Sequence, residues 1–516
     1  MSRIAYIAAI AALTLLAVLR AAAPHEEYAA TLDEPIHLAA GFEWYDGHYT
    51  TDLTHPPLAR IVCALPLRLA GLPSPKPANM VDRGNQLLYH RGVELYEETL
   101  ASARRGNLLF LILGVVVVAL WARRLFSRAV AVTAVALYTA HPLILGHAGL
   151  VTTDMAVAAT LPLALFALEL FLERPSWRRT LFLGIAVGVG SLSKFTFFVY
   201  FPPCALLLVL LRRKLPVKQT AAAIAIALLV VWGGYRFHFA KVTDPNTIVF
   251  AAPKPLQPLA TRIAQLRLPA PELIEGIAQV KLHDKLGHGG YLFGREYTNG
   301  WWPYFAVLLF YKSPIPWLIF AAWGAALLWR KPVLVLLPVV ILLVASTSTI
   351  NIGVRHILPL FALLSIVAAY AVVDVWGKAR DAFSRVAVVA LLVWLAGGVA
   401  AAHPDYLPWF NEAAQPTPSR ITVDSNLDWG QDVLRLAKVV RDRRIEHLHV
   451  AFFTPVRIGG HGINATGLTP HVPVQGWVAI SEHQIRFAED SGDYAWLSAY
   501  RPVQMVGESI RLYHIP

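Results

Sequence analysis

The sequence predicts a mainly α, polytopic membrane protein with a small α/β domain outside the bilayer. Three observations lead there: an excess of apolar residues, their grouping into runs long enough to cross hydrocarbon, and a change of composition after His403. Of 516 residues, 56% are hydrophobic and only 15% are charged, with a mean hydropathy of +0.51. That is more apolar surface than a soluble fold buries, and a helix needs about 20 such residues to span a bilayer. The net charge of +12 raises the question of nucleic acid. The basic residues, however, stand in short clusters between apolar runs rather than on a face interleaved with aromatics, so no nucleic-acid partner is expected.

About eleven apolar spans can be read along the chain, at 4–23, 107–122, 129–147, 153–172, 180–193, 196–211, 219–238, 303–329, 332–346, 354–374 and 386–402. The first has no small-residue cleavage site after it and reads as a retained helix rather than a removed signal. Arg123-Arg124, Arg174 with Arg178-Arg179, Arg212-Arg213-Lys214 with Lys218, Arg330-Lys331, and Lys378 with Arg380 and Arg385 fall in every second connection. That alternation marks the cytoplasmic side. The N-terminus is then cytoplasmic, and residues 24–106, 239–302 and everything after 403 face outward across the plasma (inner) membrane. Cys63 and Cys204 lie in separate apolar stretches and read as packing residues.

Two domains follow: a transmembrane module over 1–402, including the outer loops 24–106 and 239–302, and an extracytoplasmic α/β domain over 403–516. Pro56 to Ala70 is apolar but interrupted by Arg60 and Arg68, which suits a helix lying in the interface. Leu273 to Leu286 reads as a second interfacial helix. In the C-terminal domain Ile421 to Asp424, Leu448 to Phe453 and Trp477 to Ile480 read as strands, and Gln431 to Arg441 as a helix.

The first outer loop holds the strongest local signal, Asp33-Glu34 followed by Trp44, Tyr45, Asp46-Gly47 and His55-Pro56-Pro57-Leu58. Adjacent acids near a membrane surface suit a general base acting on a lipid-borne substrate, although an acid in a loop is also commonly just solvated. Asp33-Glu34 with Thr51-Asp52-Leu53-Thr54-His55-Pro56-Pro57-Leu58 resembles the corresponding loop of protein O-mannosyltransferases and lipid A aminoarabinose transferases, members of glycosyltransferase family 39 with the GT-C fold. Val151-Thr152-Thr153-Asp154, Ser193-Lys194-Phe195-Thr196 and Gly353-Val354-Arg355-His356-Ile357-Leu358-Pro359 are similar to further blocks of that superfamily, in the same order and on the same outer side. Asp424-Ser425-Asn426-Leu427-Asp428-Trp429-Gly430-Gln431-Asp432 resembles a segment of bacterial family 39 proteins that carries no assigned role.

The resemblance implies an inverting transferase of the cell envelope, mannosyltransferase-like, moving a sugar from a polyprenyl-phosphate carrier to a glycan, lipid or protein acceptor. Asp33 would be the base and Glu34, its catalytic neighbour, would orient the acceptor or a basic partner. A single carboxylate suffices, because a phosphate leaving group needs no proton. Lys194, Arg355, Arg60 and His55 would hold the donor phosphate, although Lys194 and Arg355 could equally snorkel to lipid headgroups. Asp154 reads either as an acceptor contact or as a structural acid at a helix start. No organic cofactor is expected. Asp33, Glu34, His37 and His55 are enough ligands for a divalent ion, so metal stays an open alternative. A transporter or flippase of lipid-linked sugars is the competing function. It calls for ionisable groups at midplane and repeated halves or broken helices, neither of which is visible in the sequence.

Overall fold

A computed structural model describes residues 1–213, 215–330, 332–378 and 382–516. Of the basic clusters, Lys214, Lys331 and Arg380 lie outside the described residues. Every apolar run read from the sequence is helical. Among the described residues six helices are long and apolar enough to cross a membrane, and up to eight spans result if two bent pairs each count as one. Trp177–Ser191, Thr196–Arg212 and Val333–Ala345 are apolar but shorter. The chain is a multi-pass membrane protein.

Burial sorts these helices. In Asp154–Glu173, 89% of the apolar window is enclosed by protein, against 17% in each of Arg3–Glu26, Val217–Gly234 and Ala382–Ala401. The first is therefore the central pillar and the others present their apolar surface to lipid, where no second protein layer is required. At the end of the bundle away from the long loops, Glu169 accepts from Trp121 Nε1 at 2.7 Å and from Arg212 at 2.9 Å, while Glu173 pairs with Arg124. These contacts tie neighbouring helix ends together and give the buried Glu169 carboxylate a counter-charge.

In the sequence 129–147 and 303–329 read as continuous spans and no broken helix is visible; two bent pairs correct this. Arg128–Thr139 meets Pro142–Ala148 at 65°, and Tyr304–Tyr311 meets Ile315–Leu327 at 116°. Pro142, Pro314 and Pro316 lack the N–H that would continue the ladder. At the second break the Lys312 ammonium donates to the Leu407 carbonyl at 2.8 Å and the Asn426 carbonyl at 2.7 Å.

The long loops are folded. Residues 24–106 supply helices Glu34–Asp46, Leu58–Leu69 and Met80–Leu88 and the start of Tyr96–Leu125. Residues 239–302 supply Pro245–Ala251, Gln257–Gln265 and Pro271–Leu286. At the C-terminal end a five-stranded sheet places Leu448–Ala451 parallel to both Ala465–Gly467 and Gly476–Ser481, while Ile510–Ile515 runs antiparallel to Gly476–Ser481 and to Gln504–Val506. Helix Val433–Asp442 packs its Val433, Leu436 and Val440 into the core on one face of that sheet. The expected strand at Ile421 to Asp424 does not form; 3-10 turns Pro418–Arg420 and Asp424–Asn426 stand there instead. Their polar groups serve the transmembrane module. The Asn426 side-chain oxygen accepts from Val354 N at 2.9 Å, Ser425 Oγ donates to Ile352 O, and Ile421, Val423 and Leu427 join the main core.

Candidate active site

A cavity of about 620 Å3 opens at the loop end of the bundle. Asp33, His55, Lys194 and Arg355 all line it, together with apolar residues such as Phe195, Phe198, Phe305 and Val344. Asp33 closes the N-terminus of helix Glu34–Asp46: its carbonyl accepts from His37 N at 3.0 Å, while its carboxylate is spent on no cap. Instead Oδ2 accepts from Arg355 Nη1 at 2.8 Å. Arg355 comes from the 3-10 turn Val354–Ile357, which precedes Pro359–Lys378.

The same guanidinium stands 3.8 Å from Asp154 Oδ2, and Lys194 Nζ lies 2.5 Å from Asp154 Oδ1. Asp33, Arg355, Asp154 and Lys194 thus form one row of alternating charge drawn from four separate stretches of chain. Asp154 is only 1% exposed, so both cations are needed to offset its desolvation. Asp33, at 24%, keeps an open side on the cavity.

Beneath Arg355 lies the indole of Trp429, 4.4 Å from the guanidinium carbon to the ring centroid, in a cation–π contact. Trp429 is held by its neighbours: its backbone N–H donates to Gln431 Oε1 at 2.8 Å, and its carbonyl accepts from Leu32 N at 3.1 Å. Two glycines make this fit. A Cβ at Gly353 would lie 2.1 Å from Ser425 Oγ, and Gly430 has φ +89° with the Phe453 carbonyl 2.6 Å from where its Cβ would stand. Burial pushes the Asp424 carboxyl up to about 6, with the nearby Arg355 charge opposing.

Residues 87–233 match the family model of dolichyl-phosphate-mannose-protein mannosyltransferases. The whole chain superposes on ArnT from Cupriavidus metallidurans bound to undecaprenyl phosphate, with a TM-score of 0.54 at 14% identity, over 99% of this chain and 98% of that one. The apo state of the same protein gives 0.52 at 13% over the same shares. The fold is that of the GT-C glycosyltransferases. An oligosaccharyltransferase from Archaeoglobus fulgidus in its apo form is similar at a TM-score of 0.50 and 12% identity, over 90% of this chain and 64% of that one. No curated protein sequence matches.

Within this GT-C fold two residues expected at the site stand elsewhere. Glu34 is fully buried beneath the loop and does not reach the cavity. It accepts from Arg104 Nε at 2.9 Å and Nη2 at 2.7 Å, from Thr31 N at 2.8 Å and from Val151 N at 2.8 Å. Its carboxylate is paired with a buried arginine and touches no open space where an acceptor could lie. Arg60 is likewise turned inward, donating to the Asp52 and His55 carbonyls, to His37 Nδ1 at 3.2 Å and to the Asp52 carboxylate. It shapes the Asp52 to His55 turn and does not line the main cavity. Burial opposes ionisation of Asp52, yet Arg60 holds its carboxyl well below the usual range.

His55 does line the cavity, with Nδ1 turned to Thr54 Oγ1 at 3.1 Å and Asp52 Oδ2 at 3.4 Å. The four suggested metal ligands do not assemble, because Glu34 belongs to Arg104. Among the described residues His37, Asp52 and His55 bring ligand atoms within 4.8 Å of one another. The Arg60 guanidinium already bonds both His37 and Asp52, so the position a cation would take is held by a side chain and the arrangement does not fit an ion. Asp154 begins its helix but caps nothing with its side chain; its place in the ion row accounts for it.

The structure adds residues that the sequence left unmarked. Helix Pro271–Leu286 and the turn after it form one cavity wall, with Lys281, His283, Asp284 and His288 on it. Trp429 and Asp424 come from the Asp424 to Asp432 segment, singled out by resemblance alone. Arg104 carried a usable signal: an arginine at the end of an apolar span needs an acidic partner.

Proposed function

We propose that the protein is an inverting glycosyltransferase that moves a sugar from a polyprenyl-phosphate-linked donor to an acceptor hydroxyl at the outer membrane face. The observation that carries this reading is the meeting of a half-open carboxylate, Asp33, with Arg355 and Lys194 on one cavity whose remaining wall is apolar. The bound undecaprenyl phosphate of the similar ArnT structure and the mannosyltransferase family match support the same chemistry. Residues 1–402 would form the catalytic module, and 403–516 an outer domain whose Asp424 to Asp432 segment backs Arg355.

In the ion row each carboxylate faces a cation, and Arg355 is shared between Asp33 and Asp154. A donor phosphate would take over part of that guanidinium, because Arg can serve two acceptors through its fork. Asp33 is then released to accept the acceptor's hydroxyl proton. The acceptor oxygen forms its bond to the anomeric carbon as the bond from that carbon to the phosphate oxygen breaks, and polyprenyl phosphate leaves with the electron pair. One displacement inverts the centre. Lys194, paired to Asp154, would act mainly by holding that acid charged and Arg355 in place; His55 would face the donor from the opposite loop.

A flippase would use the broken helices as a path. Here the sharper break is filled by Lys312, which is fully buried and bonded to two carbonyls. The deciding test is whether purified protein, given a lipid-linked sugar and cell-envelope acceptors, releases free polyprenyl phosphate; movement of intact donor across the bilayer without release would sink the proposal.

Arg355→Lys should raise the apparent KM for donor by about 10-fold or more, since it keeps charge but loses the forked geometry and the stacking on Trp429. Steady-state assays on variants of equal expression check this, and an unchanged KM returns Arg355 to a structural place. For orientation, a cysteine at exposed Ser498 should react with an impermeant thiol reagent in intact spheroplasts, while one at exposed Ser176 should not. The reverse pattern would put the cavity on the cytoplasmic side.

A further inference from the structure

Residues 237–267, between the end of helix Val217–Gly234 and the cavity wall, are apolar on two sides. Inward, Val242, Ile248, Ala251, Ala260 and Ala264 pack with Ala278 of the wall helix Pro271–Leu286. Outward, Leu256, Leu259, Ile263 and Leu266 recur at spacings of three and four around helix Gln257–Gln265, the period of a single stripe. Leu259 and Leu266 are each 55% exposed, and Phe250 on the preceding helix is 60% exposed. A loop wholly in water would not turn three large apolar side chains and the adjoining Leu256 outward together.

Two observations identify what covers this stripe. It continues a lipid-facing surface: Phe237 and Phe239 are exposed just after the membrane-facing helix Val217–Gly234, and Arg267, next to Leu266, stands over the Phe239 ring at 5.7 Å. It is also flanked by cations, with Lys254, Arg262 and Arg267 exposed around the apolar residues and no acid between 245 and 271. We propose that residues 237–267 form a foot that beds its leucines and phenylalanines into the headgroup layer of an anionic lipid surface on the cavity's side of the membrane. The foot is fastened to the wall helix beyond their apolar contact. Glu275 of that helix accepts from Thr243 N at 2.9 Å and Asp244 N at 3.1 Å, and Ala270 N donates to His238 O at 2.9 Å. Seating the foot in lipid therefore fixes the height of the wall that carries Lys281, His283 and His288 relative to the bilayer.

This corrects the placing of the second interfacial helix. Leu273 to Leu286 is the cavity wall, and the lipid-seeking helix is the one before it. The inference rests on the membrane reading and not on sugar transfer, so the two fail separately.

Its test is a spin label on a cysteine at Phe250, Leu259 or Thr261 in the full-length protein, in lipid nanodiscs; the native Cys63 and Cys204 are buried and do not compete for label. Thr261 is exposed on the other side of the same helix as Leu259 and is the internal control. Dissolved oxygen should relax labels at 250 and 259 several-fold more than a water-soluble nickel chelate does, with the reverse at 261. The excess at 250 and 259 should be larger in discs containing phosphatidylglycerol than in pure phosphatidylcholine, and Lys254→Glu with Arg262→Glu should abolish that difference. Nickel access at 250 and 259, shielding from both reagents as a protein partner would give, or an equal ratio at 259 and 261 overturns the foot. Equal ratios in the two lipids overturn its anionic preference.

Discussion

Asp33→Asn should lower turnover by about 10²–10⁴-fold while leaving donor binding and folded yield unchanged. Asparagine keeps the size of the side chain and can still accept from Arg355 through its carbonyl oxygen, so the 2.8 Å contact has a replacement. What it cannot do is take a proton from an acceptor hydroxyl. Arg355 retains Asp154 at 3.8 Å as a second counter-charge, so the row should not collapse with the loss of one acid. The measurement is transfer of a labelled sugar at saturating donor, with donor binding followed on the same preparations. Turnover close to wild type removes Asp33 as the base, whereas lost binding makes it part of the phosphate site.

Glu34→Gln, one residue on, should behave in the opposite way. It should cost about 3–5 kcal/mol of stability, the cost of leaving one partner of a fully buried ion pair alone. Every hydrogen bond of the Glu34 carboxylate comes from a donor: Arg104 Nε and Nη2, Thr31 N and Oγ1, and Val151 N. An amide must turn its own N–H2 toward some of them, and Arg104, wholly buried, is left with an uncompensated charge. Thermal unfolding in detergent, followed by monodispersity on size exclusion, should show a marked loss of folded protein. A variant that folds normally but turns over slowly would restore Glu34 to the chemistry.

These neighbouring acids show where the sequence is legible and where it stops. Their place in the first long loop, just after an apolar span, could be read from the apolar runs on either side. That one faces a cavity and the other a buried arginine could not, because adjacent side chains at a helix start diverge and their partners lie far along the chain. Arg355 is 322 residues from Asp33, and Arg104 is 70 from Glu34. Arg60 misled for a similar reason: an arginine near a candidate site looks like a phosphate ligand until its donors are seen to close a turn. Trp429 lay in a segment whose distinctiveness was visible and whose purpose was not, since stacking under a guanidinium leaves no periodic trace.

The sequence by itself determined that the chain is a mainly helical membrane protein, where its apolar runs lie, and which of the connecting loops bear acids and cations. Those features follow from composition and local periodicity, which the bilayer enforces residue by residue through the cost of exposing polar backbone to hydrocarbon. Only the tertiary structure decided that two spans bend at prolines, that Ile421 to Asp424 serves the bundle rather than the sheet, and that the Asp33, Arg355, Asp154 and Lys194 charges share one row. Those outcomes depend on which distant groups can satisfy one another in a low-dielectric interior. Pairing of that kind is a property of the packed chain and not of any window along it.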